Sequence, residues 1–511
     1  MSVTTALETS AVIAVVGAGA MGAGIAQVAA AAGHVVKLLD SRPEAAARAV
    51  AGIRAQFGKL AEKGRMPPDA AQAAGERLIA VERLEDLADA ALVVEAIVES
   101  LEAKQKLYRD LESIVGPDCI FGTNTSSISV TAIGSALARP ERLAGLHFFN
   151  PAPLMALVEI VSGLATDKAV ADTLFATAAA WGKTPVHARS TPGFIVNRVA
   201  RPYYAEALRL AHEGAADYAT IDACCREAGG FRMGPFELMD MIGHDVNFAV
   251  TNSVWRAFYN DPRFLPSLIQ QELVDAGFLG RKSGRGFYDY REGAERPEPK
   301  SAVVQSVPTG IVLHGHSAAV EALADRLHER GIAYTWGEAE DKRIAEVNGA
   351  VIFLTDGRTA TQRAAETGVA NVVLIDLALD YTKATRLAVS VAHTCFAPAA
   401  AAAVGLLQAA GFAVSRFADV PGLAVMRTVA MLANEAADAV NQGVCDAKAA
   451  DSAMQLGVNY PRGPLAWADT VGLKTIACVL RHLGQFYGED RYRISPLIQQ
   501  QVFAGKTIHD R

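Results

Sequence analysis

Short runs of mostly apolar residues recur through the first 190 positions of the chain: Val12–Val16, Val35–Leu39, Leu92–Glu95, Cys119–Gly122 and Leu143–His147. None alternates with polar residues, so each reads as a strand buried on both faces, the mark of a parallel sheet covered by helices. Residues 43–80 mix apolar and charged positions and predict helices that project from the sheet. Past Pro192–Gly193 a long amphipathic helix is expected, with Asn197 in its first turns. Residues 308–415 return to alternating strands and helices at GIVLHGH, AVIFLTD, NVVLIDLA and RLAVSVAH.

The second half also repeats the wording of the first. TPGFIVNR through GPFELMDMIG (191–243) recurs as VPGLAVMR through GPLAWADTVG (420–472), and LIQQ (268–271) as LIQQ (497–500), at a constant offset of 229 residues. The copies differ chemically, because Met426 stands where the first has Asn197. Around RLAVSVAHTCFAP (386–398) no counterpart of the earlier HFFNP is found, and His314-Gly-His-Ser lacks a glycine pattern, so no dinucleotide is expected there. The expected architecture is a Rossmann-type α/β domain at 1–189 and an all-α domain at 190–290. A charged, proline-containing linker at 291–307 leads to a degenerate α/β domain at 308–418 and a second all-α domain at 419–511.

Glycine placement gives the first domain a function. Gly17, Gly19 and Gly22 form G-x-G-x-x-G between a strand and an Ala-rich helix, Gly33 ends that helix, and Asp40 closes the next strand. That is the full dinucleotide fingerprint: a tight turn, close approach to a pyrophosphate, and a carboxylate for the ribose. Asp40 favours NAD over NADP, although Arg42 lies close by. The formal net charge of −7 argues against nucleic-acid or anionic-membrane partners. The uncharged stretch Ala11–Ala32 is too rich in Ala and Gly for a membrane span, and no basic segment of a signal peptide precedes it. Six cysteines without metal-ligand spacing suggest reduced thiols in the cytoplasm, and no metal is expected.

The run GLHFFNPAPLMALVEI (145–160) places His147 and Glu159 among apolar residues. By themselves they are either a satisfied core pair or a general base and its orienting carboxylate. With Ser126 in GTNTSSISV and Asn197 as neutral hydrogen-bonding groups, the set matches what oxidation of a secondary alcohol needs. Lys59 and Lys63 share one helical face, either a solvated surface or a clamp for a phosphate-bearing group.

The motifs VVGAGAMGAGIAQVAAAAGH, VVEAIVESLEAK, NTSSISV, GLHFFNP, LVEI and TPGFIVNR, in that order across residues 10–290, resemble the L-3-hydroxyacyl-CoA dehydrogenase family. The resemblance implies oxidation of a 3-hydroxyacyl-CoA by NAD, with His147 as base, Glu159 as its partner, and Ser126 and Asn197 on the substrate oxygen. It implies that the cofactor meets Gly17, Gly19, Ala20, Met21 and Gly22, then Asp40, Glu99, Lys104, Asn124, Ser126 and Asn150. Lys63, with Lys59 and Ser126, would face coenzyme A. The wording NRVARPYYAEALR, IGHDVNFAVT and FLPSLIQQEL resembles most the long, two-part branch of phenylacetate catabolism, which acts on 3-hydroxyadipyl-CoA and whose members are also called 3-hydroxybutyryl-CoA dehydrogenases. An adipyl chain ends in a carboxylate, for which Arg201, four residues after Asn197, is a candidate; a surface arginine paired to an acid is the alternative. Because helical domains pack between subunits in the family, the two copies are expected to meet within one chain, as a monomer with an intramolecular pseudo-dimer or as a homo-oligomer. Two other readings stand beside this one: a lysine-dependent β-hydroxyacid dehydrogenase, disfavoured because the helix from Gly193 to Leu210 has no lysine, and a non-catalytic binding protein on the same fold. No hydratase segment precedes the dinucleotide strand, so a fused hydratase is not expected.

Overall fold

The structure is a computed structural model describing residues 5–338 and 341–510. Two compact units emerge, one of residues 1–198 with 442–458, the other of residues 199–441 with 459–511.

The first unit is built on eight strands: β1 (Val12–Val16), β2 (Val36–Leu39), β3 (Leu78–Val81), β4 (Ala90–Glu95), β5 (Ile120–Thr123), β6 (Leu143–Phe148), β7 (Leu157–Ser162) and β8 (Thr184–Arg189). Their order is β3-β2-β1-β4-β5-β6-β7-β8, parallel throughout except between β6 and β7. This is a doubly wound Rossmann sheet, with the helix Ala20–Ala31 packed on β1 and β2. Residues 43–80 hold the helices Ala45–Glu62 and Pro68–Glu76, which pack on each other, but they end in a strand rather than a helix. That strand, β3, lies at the sheet edge with Ile79 and Ala80 exposed, so it carries no buried apolar run. A distant segment completes the unit: the helix Ala447–Val458 packs against β7 and β8, and Arg189 N donates to Val444 O at 2.8 Å.

The second unit has its own sheet, of β9 (Ile311–His314), β10 (Tyr334–Gly337), β11 (Arg343–Val347), β12 (Ala350–Leu354), β13 (Val372–Ile375), β14 (Arg386–Val391) and β15 (Ala413–Arg416), ordered β10-β9-β11-β12-β13-β14-β15. β11 and β12 form an antiparallel hairpin turned by Asn348 and Gly349, whose φ of 46° and 82° are those an Asn-Gly two-residue turn adopts. Residues 291–307 are pinned rather than free: Ala302 N donates to Val414 O, and Lys300 O accepts from Ser415 Oγ.

The offset of 229 residues extends into the sheets. β7 and β14 correspond residue for residue, as do the helices Lys168–Ala180 and Ala397–Ala409, and Pro235–Ile242 and Pro464–Val471. In this register the segment around RLAVSVAHTCFAP is not the counterpart of the HFFNP segment. RLAVSV is the counterpart of LVEIVS, and the counterpart of His147 is Asp376, just past β13.

Each copy of one helix packs on the other copy's sheet. Tyr218–Glu227 lies on β14 in the second unit, while its counterpart Ala447–Val458 lies on β7 and β8 in the first. The backbone bonds obey the same exchange, since Ala418 N donates to Ala215 O at 2.9 Å as Arg189 N does to Val444 O. Within the second unit the helices Arg201–His212 and Val425–Asn441 pack together, and buried Arg427 Nε donates to Glu206 Oε2 at 2.6 Å. The long helix expected after Gly193 is instead two, Val196–Val199 and Arg201–His212, because Pro202 brings no N–H to the ladder.

Candidate functional site

Steric limits at the glycines show what the first βα turn is built for. Gly17 has φ of 106°, and a Cβ there would lie 2.4 Å from Ala96 O. A Cβ on Gly22 would lie 1.7 Å from Gly17 O, so helix and strand approach as closely as backbone allows. A Cβ on Gly19 meets nothing within 4 Å, and the helix Ala20–Ala31 that follows has no side-chain cap. Open space above uncapped N–H groups suits a pyrophosphate.

Asp40 takes up the other end of this cradle. Its carboxylate accepts from Ala18 N at 2.7 Å and from Arg42 N and Nε at 2.9 and 3.0 Å. The Arg42 guanidinium holds the Asp40 carboxyl down at about 2. Asp40 and Arg42 line a cavity of about 660 Å³ with Gly17, Gly19 and Ile97.

Beyond β4 a buried charge cluster shapes the next wall. Lys104, 1 % exposed, bonds Glu95 Oε1 at 2.6 Å and Glu99 Oε2 at 3.1 Å. Glu95 also accepts from Thr123 Oγ1 and Ile97 N, and Glu99 from Thr125 Oγ1, Ser127 Oγ and Ser126 N. Burial pushes the Glu99 carboxyl up, but the Lys104 ammonium and the two hydroxyls outweigh it and hold it below the usual carboxylate range. Glu95 and Thr125 were not singled out from the sequence, although an acid closing the apolar run of β4 is a readable signal. Asn124 is partly structural, because its Oδ1 accepts from Phe148 N at 2.8 Å.

His147 and Glu159 are direct cross-strand partners on β6 and β7, with Nδ1 and Oε2 2.7 Å apart. The other carboxylate oxygen, Oε1, accepts from Ile195 N and Val196 N, both at 3.0 Å. Gly193 and Phe194, with φ of 75° and 46°, turn the chain so that these two N–H groups converge. The Phe149 and Phe194 rings pack on the imidazole at 4.6 and 5.8 Å. With Nδ1–H donated to Glu159, Nε2 carries the lone pair. A cavity of about 360 Å³ brings together His147, Ser126, Asn197, Met21, Lys104 and Asn150.

Other expected site residues stand apart from that cavity. Lys59 and Lys63 are exposed at the end of the helix Ala45–Glu62, whose Phe57 and Leu60 wall a separate cavity of about 1110 Å³. Arg201 lies in the second unit, 5 % exposed, donating to Thr251 Oγ1 at 3.0 Å and stacked over the Tyr204 ring. It lines a cavity of about 390 Å³ with Leu208, Phe264 and Leu268. Among the described residues no helix is long and apolar enough to cross a membrane.

Residues 12–191 match the family model "3-hydroxyacyl-CoA dehydrogenase, NAD binding domain". The model "3-hydroxyacyl-CoA dehydrogenase, C-terminal domain" matches twice, at 193–290 and 422–509, and residues 352–421 match a "3-hydroxybutyryl-CoA dehydrogenase reduced Rossmann-fold domain". The chain is 45% identical over 492 residues to the 3-hydroxyadipyl-CoA dehydrogenase of Escherichia coli K12, covering 96% of this chain and 97% of that one. It is 40% identical over 285 residues to the mitochondrial hydroxyacyl-coenzyme A dehydrogenase of Sus scrofa, covering 55% of this chain and 91% of the relative. In structure it is similar to a 3-hydroxybutyryl-CoA dehydrogenase of Escherichia coli K12, with a TM-score of 0.89 and 43% identity over 98% of this chain and 99% of that one.

Proposed function

The chain belongs to the 3-hydroxyacyl-CoA dehydrogenase family, and we propose that it oxidises (S)-3-hydroxyacyl-CoA to 3-oxoacyl-CoA through the His147–Glu159 pair. Bound NAD supplies the nicotinamide ring that takes the hydride. Gly17, Gly19 and Gly22 admit its pyrophosphate, and Asp40 accepts from its ribose. His147 Nε2 removes the hydroxyl proton, while Glu159 keeps the ring oriented and offsets the charge of the imidazolium. Ser126 and Asn197 hold the oxygen as it becomes a carbonyl. Lys104, with Glu95 and Glu99, shapes the wall of the His147 cavity that the nicotinamide would enter, and Lys59 and Lys63 would offer cations to the phosphates of coenzyme A.

The observation that carries this reading is the convergence of Ile195 N and Val196 N on Glu159 Oε1, with His147 on Oε2. A carboxylate satisfied on both oxygens leaves the imidazole one orientation, with Nε2 left for the substrate. Wild type and His147→Gln assayed with NADH and acetoacetyl-CoA test it. Roughly a 10²–10⁴-fold loss of kcat is expected, with NADH binding retained. Full activity in the variant overturns it.

The acyl group is 3-hydroxyadipyl or 3-hydroxybutyryl, the substrates in the names of the Escherichia coli relative and of the solved Escherichia coli structure; the setting we propose is phenylacetate or fatty-acid catabolism in the cytoplasm. Arg201 is the candidate that the sequence offers for an adipyl carboxylate, four residues after Asn197. The second half is an inactivated internal duplicate. At the fixed offset Asp376 replaces His147, Ala388 replaces Glu159 and Met426 replaces Asn197. Its would-be cofactor crease is filled, since a Cβ on Gly337 would lie 2.4 Å from the His314 ring. The reciprocal bonds of Val444 and Ala215 and the packing of Arg201–His212 on Val425–Asn441 have the isologous form of a two-fold dimer, here within one chain.

A further inference from the structure

The duplicate half has no catalytic set of its own, yet part of it is built into the first unit. Residues 442–458 lie behind β7, the strand that carries Glu159. Arg189 N on β8 donates to Val444 O, and the half-buried Cys445 thiol is pushed up to about 12, first by burial and in part by nearby carboxylates that include Glu159.

Gly457, in the last turn of the helix Ala447–Val458, packs closely on β7 and on the helix Val196–Val199. A Cβ there would lie 2.8 Å from Leu157 Cδ2 and 3.0 Å from Val196 Cγ2. Both neighbours are buried, with 0 % and 2 % exposure, so neither has free space to yield. Both also flank the carboxylate. Leu157 stands two residues before Glu159 on the same face of β7, and Val196 N is one of the two donors to Glu159 Oε1. Gly457 has no left-handed φ to explain its presence, because Asn459, with φ of 56°, makes the turn out of the helix. A glycine inside a helix is less favourable than alanine, a cost that close packing here offsets.

We infer that Gly457 is a positioning residue for the catalytic base: segment 442–458 of the silent copy backs β7 and the start of the helix Val196–Val199, so that Glu159 stays aligned on His147. A side chain at 457 displaces Leu157 and Val196, pulls an N–H away from Glu159 and loosens the imidazole. The inference rests on the reading of His147 as base.

Steady-state kinetics of the full-length Gly457→Val variant, with NADH and acetoacetyl-CoA, test it. A displacement approaching 1 Å in a catalytic group can cost about a hundredfold in rate, so a loss in kcat of about 10- to 100-fold is expected, with both KM values within about twofold of wild type. Adding Leu157→Ala, which makes room for the new side chain, restores much of the rate. Ala228→Val, the corresponding insult in the second unit, where Ala228 O accepts from Leu379 N, lowers Tm but leaves kcat unchanged. Should Gly457→Val fail to fold, Gly457→Ala carries the same comparison with a smaller group. Wild-type kcat in the folded variant overturns the inference. So does a loss that Leu157→Ala does not relieve, or an equal loss in Ala228→Val, since either marks general destabilisation. His147→Gln run alongside separates the two ideas: its full activity fails the base assignment itself, whereas an inactive His147→Gln beside an unaffected Gly457→Val fails this inference alone.

Discussion

Asp376 holds in the second sheet the position that His147 holds in the first, but its carboxylate does the structural work of Glu159. It accepts from Ala424 N and Val425 N at 2.9 and 2.7 Å and from Met426 N at 3.0 Å, the counterparts of Ile195, Val196 and Asn197. One acid thus anchors the helix start by itself, with no imidazole beside it. Burial pushes the Asp376 carboxyl up to about 6. A raised folded-state value favours the protonated form in the fold, so that stabilisation is full below the unfolded value near 4 and is lost as pH rises through 6. Asp376→Asn is therefore expected to destabilise the chain less at pH 8 than at pH 4, with catalysis unchanged at either pH. Urea unfolding at the two pH values checks this, and a penalty that grows with pH counts against it.

Glu159→Gln keeps the shape of the carboxylate but places an amide N–H against His147 or against the donors Ile195 N and Val196 N. A roughly hundredfold fall in kcat is expected, with KM little changed, because the interaction lost is one that matters as charge develops on His147. Single-turnover rates with saturating NADH measure it directly.

Asp40→Ser removes the proposed ribose acceptor and releases the Arg42 guanidinium. A charge-assisted hydrogen bond is worth about 1.5–3 kcal/mol, so NADH affinity should fall by roughly 10- to 100-fold while NADPH affinity rises. In the wild type, Asp40 stays ionised far below neutrality, so preference for NADH over NADPH should hold from pH 5 to pH 9. Fluorescence titration with both nucleotides at each pH reads both effects.

Glu206→Ala leaves Arg427 buried beside the hydroxyls of Tyr487 and Tyr492 without its nearest carboxylate. Breaking such a pair costs about 3–5 kcal/mol. That corresponds to a fall in Tm of roughly 10 °C. The double variant Glu206→Leu, Arg427→Met, with no stranded charge, should recover most of it in a thermal scan.

Arg201→Ala should raise KM for 3-hydroxyadipyl-CoA by about tenfold, the value of one charged hydrogen bond, and spare 3-hydroxybutyryl-CoA. Equal effects on both substrates would remove Arg201 from the carboxylate role and leave it as packing for Tyr204 and Thr251.

The first sheet was legible wherever strands are buried on both faces, because β1, β4, β5 and β6 then show as unbroken apolar runs between helices. β3 and β10 were not, since both are four-residue edge strands whose central residues are exposed. The hairpin of β11 and β12 carried a readable sign in Asn348–Gly349, but its antiparallel insertion breaks the alternation that the first half had set up. Of the site, His147 and Glu159 stood out because polar groups are rare in such an apolar run, and Ser126 and Asn197 by their places just past a strand and at a helix start. Glu95 and Phe194 did not, because their importance lies in what they touch.

From the amino-acid order alone came the cradle glycines, the acid closing β2, the histidine and glutamate of the apolar run, and the offset of 229 residues. All depend on local spacing, which the periodicity of strands and helices imposes on the chain. Tertiary structure alone decided which sheet each repeated helix covers, that Asp376 rather than a residue of β14 answers to His147, and that Gly457 lies against Leu157 and Val196. A helix shows the same apolar stripe whichever sheet it packs on, so its sequence cannot name its partner. That choice is made by packing between residues some 300 positions apart, and it sets a segment of the second half behind Glu159.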